Sequence, residues 1–378
     1  METFDFIVIG GGIAGASAAG FLAERGRTLL LEREPQPGYH STGRSAAIFS
    51  EAYGNAAIRA LTTGAKPFFL APPAGFAEHP LLTPRGAMFI GRADQLGTLD
   101  RTAAETRLLQ QSIRRIGAAE ARSICPVLRP DYVAGAVLEP EAMDIDVHAL
   151  HQGFLRRLRA AGGRVQTDAE ATALSRERNA WRVTTAAGEF RGRIAVNAAG
   201  AWADEVARLA GAAPVGLVPK RRTAILFAPP PRQPVELWPL VLDVDEKFYF
   251  KPDAGKLLGS PADETPTPPC DVQPEEIDVA LAVERIQLAA ELPIARIERR
   301  WAGLRSFVAD KTPVVGFDGR AEGFFWLAGQ GGYGIQTSPS MGRLAAALAC
   351  GDAVPPELAE LGVRAEALSP GRPGLKIR

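Results

Sequence analysis

The sequence predicts an α/β fold: a Rossmann-like dinucleotide-binding domain, discontinuous along the chain, with a second, antiparallel-sheet domain inserted into it. Three observations predict it. The chain opens on an apolar strand, a glycine-rich turn, a small-residue helix and a second strand ending in an acid, from Phe4 to Glu32. A further strand runs into small residues at Asn197 to Trp202, and a third, Phe324 to Ala328, runs into Gly329 to Gln336. Small-residue bends at the C-terminal ends of parallel strands are where an open α/β sheet holds its ligand.

In the opening unit, Gly10 allows the tight turn, Gly12 lets the backbone approach a pyrophosphate, and Gly15 lets helix and strand pack closely. The helix N-terminus, with Ala14 in its first turn, offers free amides and a positive dipole end. Glu32 follows Gly10 by 22 positions, near the roughly 20 expected of a carboxylate that takes a ribose hydroxyl. The motif alone does not separate a flavin from a nicotinamide dinucleotide. Next, Asp146 is a plausible N-cap for a helix over 147–161, whose Leu150, Phe154, Leu155 and Leu158 share a face. Gly162-Gly163 ends that helix, and strands follow around 165–174, 181–185 and 190–196. The late turn precedes a helix over 338–350, and its glycines again bring backbone donors to a ligand.

Stretches 51–144 and 216–299 differ. Short strands such as 223–227 and 247–251 are punctuated by Pro-rich turns at 229–231 and 266–269. These two pieces are expected to form the substrate domain, and 1–50, 145–215 and 300–370 the dinucleotide-binding domain. The end, from Pro370 to Arg378, reads as a loose tail.

The chain has 378 residues, 46% of them hydrophobic, and 43 basic residues balance 43 acidic ones. That argues against a nucleic-acid partner or an acidic tail, and no apolar run reaches the ~18 residues of a membrane span. The opening residues lack a basic leader pattern. Cys125, Cys270 and Cys350 are odd in number and scattered, as in reduced, mostly buried thiols of a cytoplasmic protein. His148 and His151, three apart on one helix, lack a third ligand and read as surface residues, so no metal is expected.

Several segments together resemble the FAD-dependent D-amino-acid oxidoreductases, relatives of D-amino-acid, glycine and sarcosine oxidases. They are the opening motif, Gly38 to Ala47, His148 to Gly153, Asn197 to Trp202, Pro219 to Arg222, Trp301 to Arg305 and Gly331 to Gln336. Within that family the sequence is most similar to the bacterial D-arginine dehydrogenases. The resemblance covers nearly the whole chain and implies a D-amino-acid-oxidase-like fold with non-covalent FAD. Gly10, Gly12, Ala14 and Gly15 would hold the pyrophosphate, Glu32 the ribose, and Arg33 would lie near the adenine. Ser41, Thr42, Gly43, Arg44, Ser45 and Ala46 would run past the phosphates and the ring. Glu170, Ala171, Ala198, Gly200 and Trp202 would flank the cofactor. Gly303, Arg305, Gly331, Gly332, Tyr333, Gly334, Ile335 and Gln336 would meet the flavin and the substrate edge.

Tyr53, Arg222, Tyr249, Arg305 and Gly332 match the family's catalytic positions. An α-carboxylate beside a flavin needs a fixed cation, and arginine supplies a bidentate, permanently charged fork. The alternative for Arg222 and Arg305 is an interdomain ion pair, and for the tyrosines an ordinary core or rim position. The implied reaction moves a hydride from the substrate α-carbon to flavin N5, giving an imino acid that hydrolyses to keto acid and ammonia. The resemblance implies an acid where this chain has Ala87, and a polar residue at Ile48. With Ser50, Leu240 and Leu242 around them, the side-chain pocket is expected to prefer neutral, hydrophobic D-amino acids, unless Glu51 or Glu78 reaches in. The electron acceptor, quinone or oxygen, leaves no motif. Two other readings keep the fold: oxidation of a secondary amine or a 2-hydroxy acid, and a non-catalytic flavin-binding subunit of an electron-transfer complex.

Overall fold

The computed structural model describes residues 2–375; Met1 and the last three residues of the expected tail lie outside them. Five parallel strands form the centre of one sheet. In spatial order they are Arg164–Gln166, Thr28–Leu31, Glu2–Ile9, Gly188–Asn197 and Phe324–Ala328. Thr28–Leu31 and Phe324–Ala328 are buried throughout and the C-terminal halves of the two strands between them nearly so, as expected of a parallel sheet covered by helices. The strands Ala173–Glu177, Ala180–Thr185 and Val314–Phe317 extend the sheet antiparallel. The opening helix, Ile13–Leu22, packs between Val147–Ala160 and Gly334–Ala349. Its residues from Gly15 to Leu22 are all buried, so small side chains there serve close packing.

A second sheet of nine strands is built around Val218–Phe227 and Ile297–Phe307, paired antiparallel over most of their lengths. Sequence reasoning expected this sheet to be antiparallel throughout. It is mixed, because Leu240–Asp243 lies parallel to Ala87–Gly91. The two strands come from the two separate stretches of the insertion, so no tight hairpin joins them and either direction is open to them. One face of this sheet, with Ile225, Phe227, Val241 and Phe250, packs on the helix Glu276–Ala289. The other face carries Arg222, Tyr249, Arg305, Leu240 and Ala87. Cross-strand partners share a face, and the register pairs Arg222 with Gly303, Leu242 with Tyr249, and Leu240 with Ala87.

The local signals hold at the Asp146 cap, whose side chain accepts from the Ala149 amide at 2.8 Å. The helix it starts ends at Ala160. Three expectations need correction. Arg222 lies inside a strand and not before one. The start of the expected loose tail is anchored: Arg372 is buried, bonded to Asp310 (2.8 and 3.0 Å) and to the Thr312 carbonyl (2.7 Å). Of the three free cysteines only Cys125 is fully buried, and Cys270 is exposed. No helix among the described residues is long and apolar enough to cross a membrane.

Candidate active site

One continuous cleft is lined by the opening glycine turn, Leu31–Arg33, the 38–46 loop, Ala169–Ala171, Ala198–Trp202, Arg222, Tyr249, Gly303–Ser306 and the late glycine turn. The strand ends of the first sheet and the inner face of the second thus meet over a single groove. At the glycine-turn end, Gly10 has φ +109°, and a Cβ there would lie 2.4 Å from the Ala198 carbonyl. A Cβ on Gly15 would lie 1.9 Å from the Gly10 carbonyl. Both glycines are required by backbone–backbone approach. The Thr42 hydroxyl accepts the Ile13 amide at 2.9 Å, which satisfies one N-terminal amide of the opening helix. By helix geometry the amides of Gly12, Ala14 and Gly15 have no intrahelical acceptor, and Gly12 and Ala14 line a cleft suited to a pyrophosphate.

Glu32 is buried and accepts the amides of Gly11 (2.8 Å) and Glu34 (2.9 Å). Burial pushes its carboxyl up, against the pull of those two amides. Each carboxylate oxygen keeps a further lone pair, so a ribose hydroxyl can join the bonds that shape the turn. The Arg33 guanidinium lies 4.8 Å from the Trp202 ring centre and 3.4 Å from Glu170. This makes a flat, polar-edged wall where a purine can stack. Arg44 lines the cleft, but its guanidinium bonds the carbonyls of Val272 (2.9 Å) and Ala302 (3.0 Å) and the carboxylate of Asp271. It ties the 38–46 loop to the second sheet. Ser41 does the same through the Leu304 carbonyl at 2.7 Å. Gly43 donates to the Gly38 carbonyl at 2.8 Å and closes the loop on itself.

At the arginine end, Arg305 has no acidic partner within salt-bridge distance among the described residues. A Cβ on Gly332 would lie 2.9 Å from its Nη1, so glycine there lets the guanidinium rest on the late turn. Tyr53 adjoins Arg305 and helps hold its pKa up, and its ring packs tilted at 58° against Tyr333, the centroids 4.9 Å apart. The Arg222 side chain is 9% exposed, with Nη2 3.3 Å from Glu264 and Nε left without a partner. Desolvation, and then the charge of Arg305, push the Arg222 guanidinium down from its ordinary value. Two half-buried cations that repel one another, with a donor unused, make a receptor for an anion. Tyr249 lines this end too. It belongs to an apolar cluster with Ala87, Leu240, Ile48 and Leu242, so the expected side-chain wall adjoins the arginines. Ser50 and Gln336 lie buried behind it.

Sequence reasoning missed two residues. His151, expected at the surface, is buried, with Nε2 2.8 Å from the Gly11 carbonyl. A carbonyl only accepts, so this nitrogen carries the proton; burial holds the ring neutral by lowering its pKa. The helix turns this face inward, and Leu150 and Phe154 on the same side were the available signal. Glu139 is the other. It stands directly opposite Ala87 across two antiparallel strands, buried, with the Ser50 hydroxyl 2.9 Å from each carboxylate oxygen. Of the two candidates considered for a hidden acid, Glu51 is occupied by Lys66 at 2.5 Å and Glu78 is exposed.

Residues 5–348 match the model of a family described as DAO, FAD dependent oxidoreductase. The hydrogen cyanide synthase subunit HcnC of Pseudomonas aeruginosa is 28% identical over 177 residues, 47% of this chain and 41% of that protein. The match therefore spans less than half the length of that relative. Among solved structures, glycine oxidase from Geobacillus kaustophilus is similar over 93% of this chain and 96% of its own, with a TM-score of 0.82 and 21% identity. Iminodiacetate oxidase from Chelativorans sp. BNC1 is similar over 97% and 98%, also with a TM-score of 0.82 and 21% identity.

Proposed function

Because the chain belongs to the DAO family of FAD-dependent oxidoreductases, we propose that it oxidatively deaminates D-amino acids with neutral, hydrophobic side chains. The observation that carries this reading is Arg305: a cation without an acidic partner among the described residues, in the same cleft as the dinucleotide turn. The glycine oxidase and iminodiacetate oxidase of like fold are named for substrates that combine an amine with a carboxylate, which agrees with such an anchor.

Arg305 and Arg222 grip the α-carboxylate, and the hydroxyls of Tyr53 and Tyr249 complete its hydrogen bonds. Gly332 keeps the late turn close enough to fix the guanidinium. The Ala87, Ile48, Leu240 and Leu242 wall takes the side chain, and water removes the proton of the amine. FAD, when bound, supplies the hydride acceptor and thereby the redox chemistry. The protein's share is orientation of the α-carbon, and that needs no further acid or base. The preference for neutral side chains and the D configuration rests on the pocket residues and the sequence resemblance. A guanidinium buried against this wall would meet only Glu139, whose oxygens already hold the Ser50 hydroxyl, so its charge would go largely uncompensated, which is costly.

Anaerobic single turnover with D-Leu tests the reading. The expected outcome is one keto acid and one ammonia released per flavin reduced. Flavin reduction by 2-hydroxy acids or N-methyl amino acids, with none by D-Leu, would replace it by one of those substrate classes.

A further inference from the structure

Glu139 is the buried group that the proposed reaction leaves unused. It is 1% exposed, in a strand whose other inward side chains are apolar, and a carboxylate placed there asks for a reason. Its two oxygens share the Ser50 hydroxyl, both at 2.9 Å. That donor belongs to the turn that delivers Tyr53 to Arg305. The Ser50 amide in turn donates to Gln336 Oε1 at 3.2 Å, and Gln336 Nε2 donates to the Thr62 hydroxyl at 3.0 Å. Gln336 stands in the first turn of the late helix, just past the glycines that rest on Arg305. One chain of buried hydrogen bonds thus joins the second sheet, the Tyr53 turn and the late helix.

We propose that Glu139 is a positioning residue of the carboxylate clamp: it fixes the turn at 50–54, and through it holds Tyr53 in place against Arg305. The proposal rests on the reading of Arg305 as carboxylate anchor. A carboxylate suits the task because both its oxygens face the Ser50 hydroxyl and its charge strengthens that bond. Leucine would leave the Ser50 hydroxyl unpaired. Glutamine can accept from it but carries no charge.

The charges around it are few. Glu51 and Tyr53 lie on the turn, Glu141 lies just beyond its own strand, and Lys66 on the helix Ala56–Leu70 reaches Glu51 (2.5 Å) and Glu141 (3.9 Å). Ala87–Gly91 brings no charge, and the late helix brings only the neutral Gln336. Burial, with Glu51 and Glu141 adding to it, pushes the Glu139 carboxyl up to about 7, so its ionisation falls within reach of ordinary assays. Ionised, it holds the Ser50 hydroxyl more strongly than when protonated.

The test measures isocaproate, the amine-free analogue of leucine, binding to the FAD-loaded enzyme by the change in flavin absorbance between pH 5.5 and 8.5. The wild type should bind severalfold more tightly above neutrality than below. Glu139→Gln should abolish that dependence. Glu139→Leu and Ser50→Ala should each weaken binding about tenfold or more, with FAD content unchanged. A Glu139→Gln enzyme that keeps the wild-type pH profile overturns the proposal, as does a Ser50→Ala enzyme with wild-type affinity. A wild-type holoenzyme that does not bind isocaproate at all overturns the anchor reading instead, and the proposal falls with it.

Discussion

Replacing Glu139 by glutamine should stabilise the protein, and by an amount that depends on pH. The native carboxyl is pushed up to about 7, mainly by burial, from the 4.5 of an ordinary glutamate. At roughly 1.4 kcal/mol per pK unit, the gap corresponds to about 3 kcal/mol. The sign follows from linkage. A raised carboxyl pKa favours the protonated form in the folded state, so this contribution is whole below about pH 4.5. It is lost as pH climbs through 7, where the folded protein must ionise a buried group that the unfolded chain ionises freely. Glutamine undergoes no such change. The difference in unfolding free energy, variant minus wild type, should therefore rise by about 3 kcal/mol between pH 4.5 and 8 and level off above that. Chemical denaturation of both proteins at a series of pH values reads it directly. A difference that stays flat across that range refutes the reasoning, because it would mean that Glu139 ionises alike in both states. A carboxylate kept at such a cost is expected where function uses it.

Three further outcomes follow from the same geometry. Arg305→Ala should weaken isocaproate binding by about 2–5 kcal/mol, tens- to thousands-fold, while FAD content stays near wild type; equal affinity in the two proteins would remove Arg305 from the anchor. Glu32→Ala deletes the acceptor of the Gly11 and Glu34 amides, so FAD affinity of the apoprotein should fall by about 1–3 kcal/mol, measured by flavin titration. Ala87→Glu alone should move the kcat/KM ratio toward D-Arg only weakly. The new carboxyl would stand across from Glu139, and two buried carboxylates at that distance share a proton. Adding Glu139→Gln should release the full shift, and a single variant as effective as the double one counts against this.

The parts of this site legible in the sequence are those whose cause is local. Gly10 and Gly15 are dictated by backbone contacts within their own turn and with the neighbouring strand end. The Asp146 cap acts three residues away, and the strand Phe324–Ala328 carries its own apolar signature. Arg305 was found through the resemblance of Trp301 to Arg305 to the family's motif. What escaped depends on partners far along the chain. Glu139 matters through its register with Ala87, 52 positions earlier, and no periodicity encodes that pairing. The employment of Arg44 by Asp271 and Val272 is a contact between two loops more than 220 positions apart. His151 turns inward only because its helix packs on the opening glycine turn.

The rate at which substrate bleaches the flavin tests the central claim most directly. Anaerobic holoenzyme is mixed with D-Leu, D-Met, D-Phe, D-Arg and L-Leu, and the second-order rate constant of reduction is recorded for each. Apolar burial favours the neutral side chains by about 0.8 kcal/mol per methylene, and an unpaired buried cation opposes D-Arg by several kcal/mol. The neutral D-amino acids should therefore reduce the flavin faster than D-Arg, and L-Leu should not reduce it. A wild-type enzyme reduced faster by D-Arg than by every neutral D-amino acid contradicts the account.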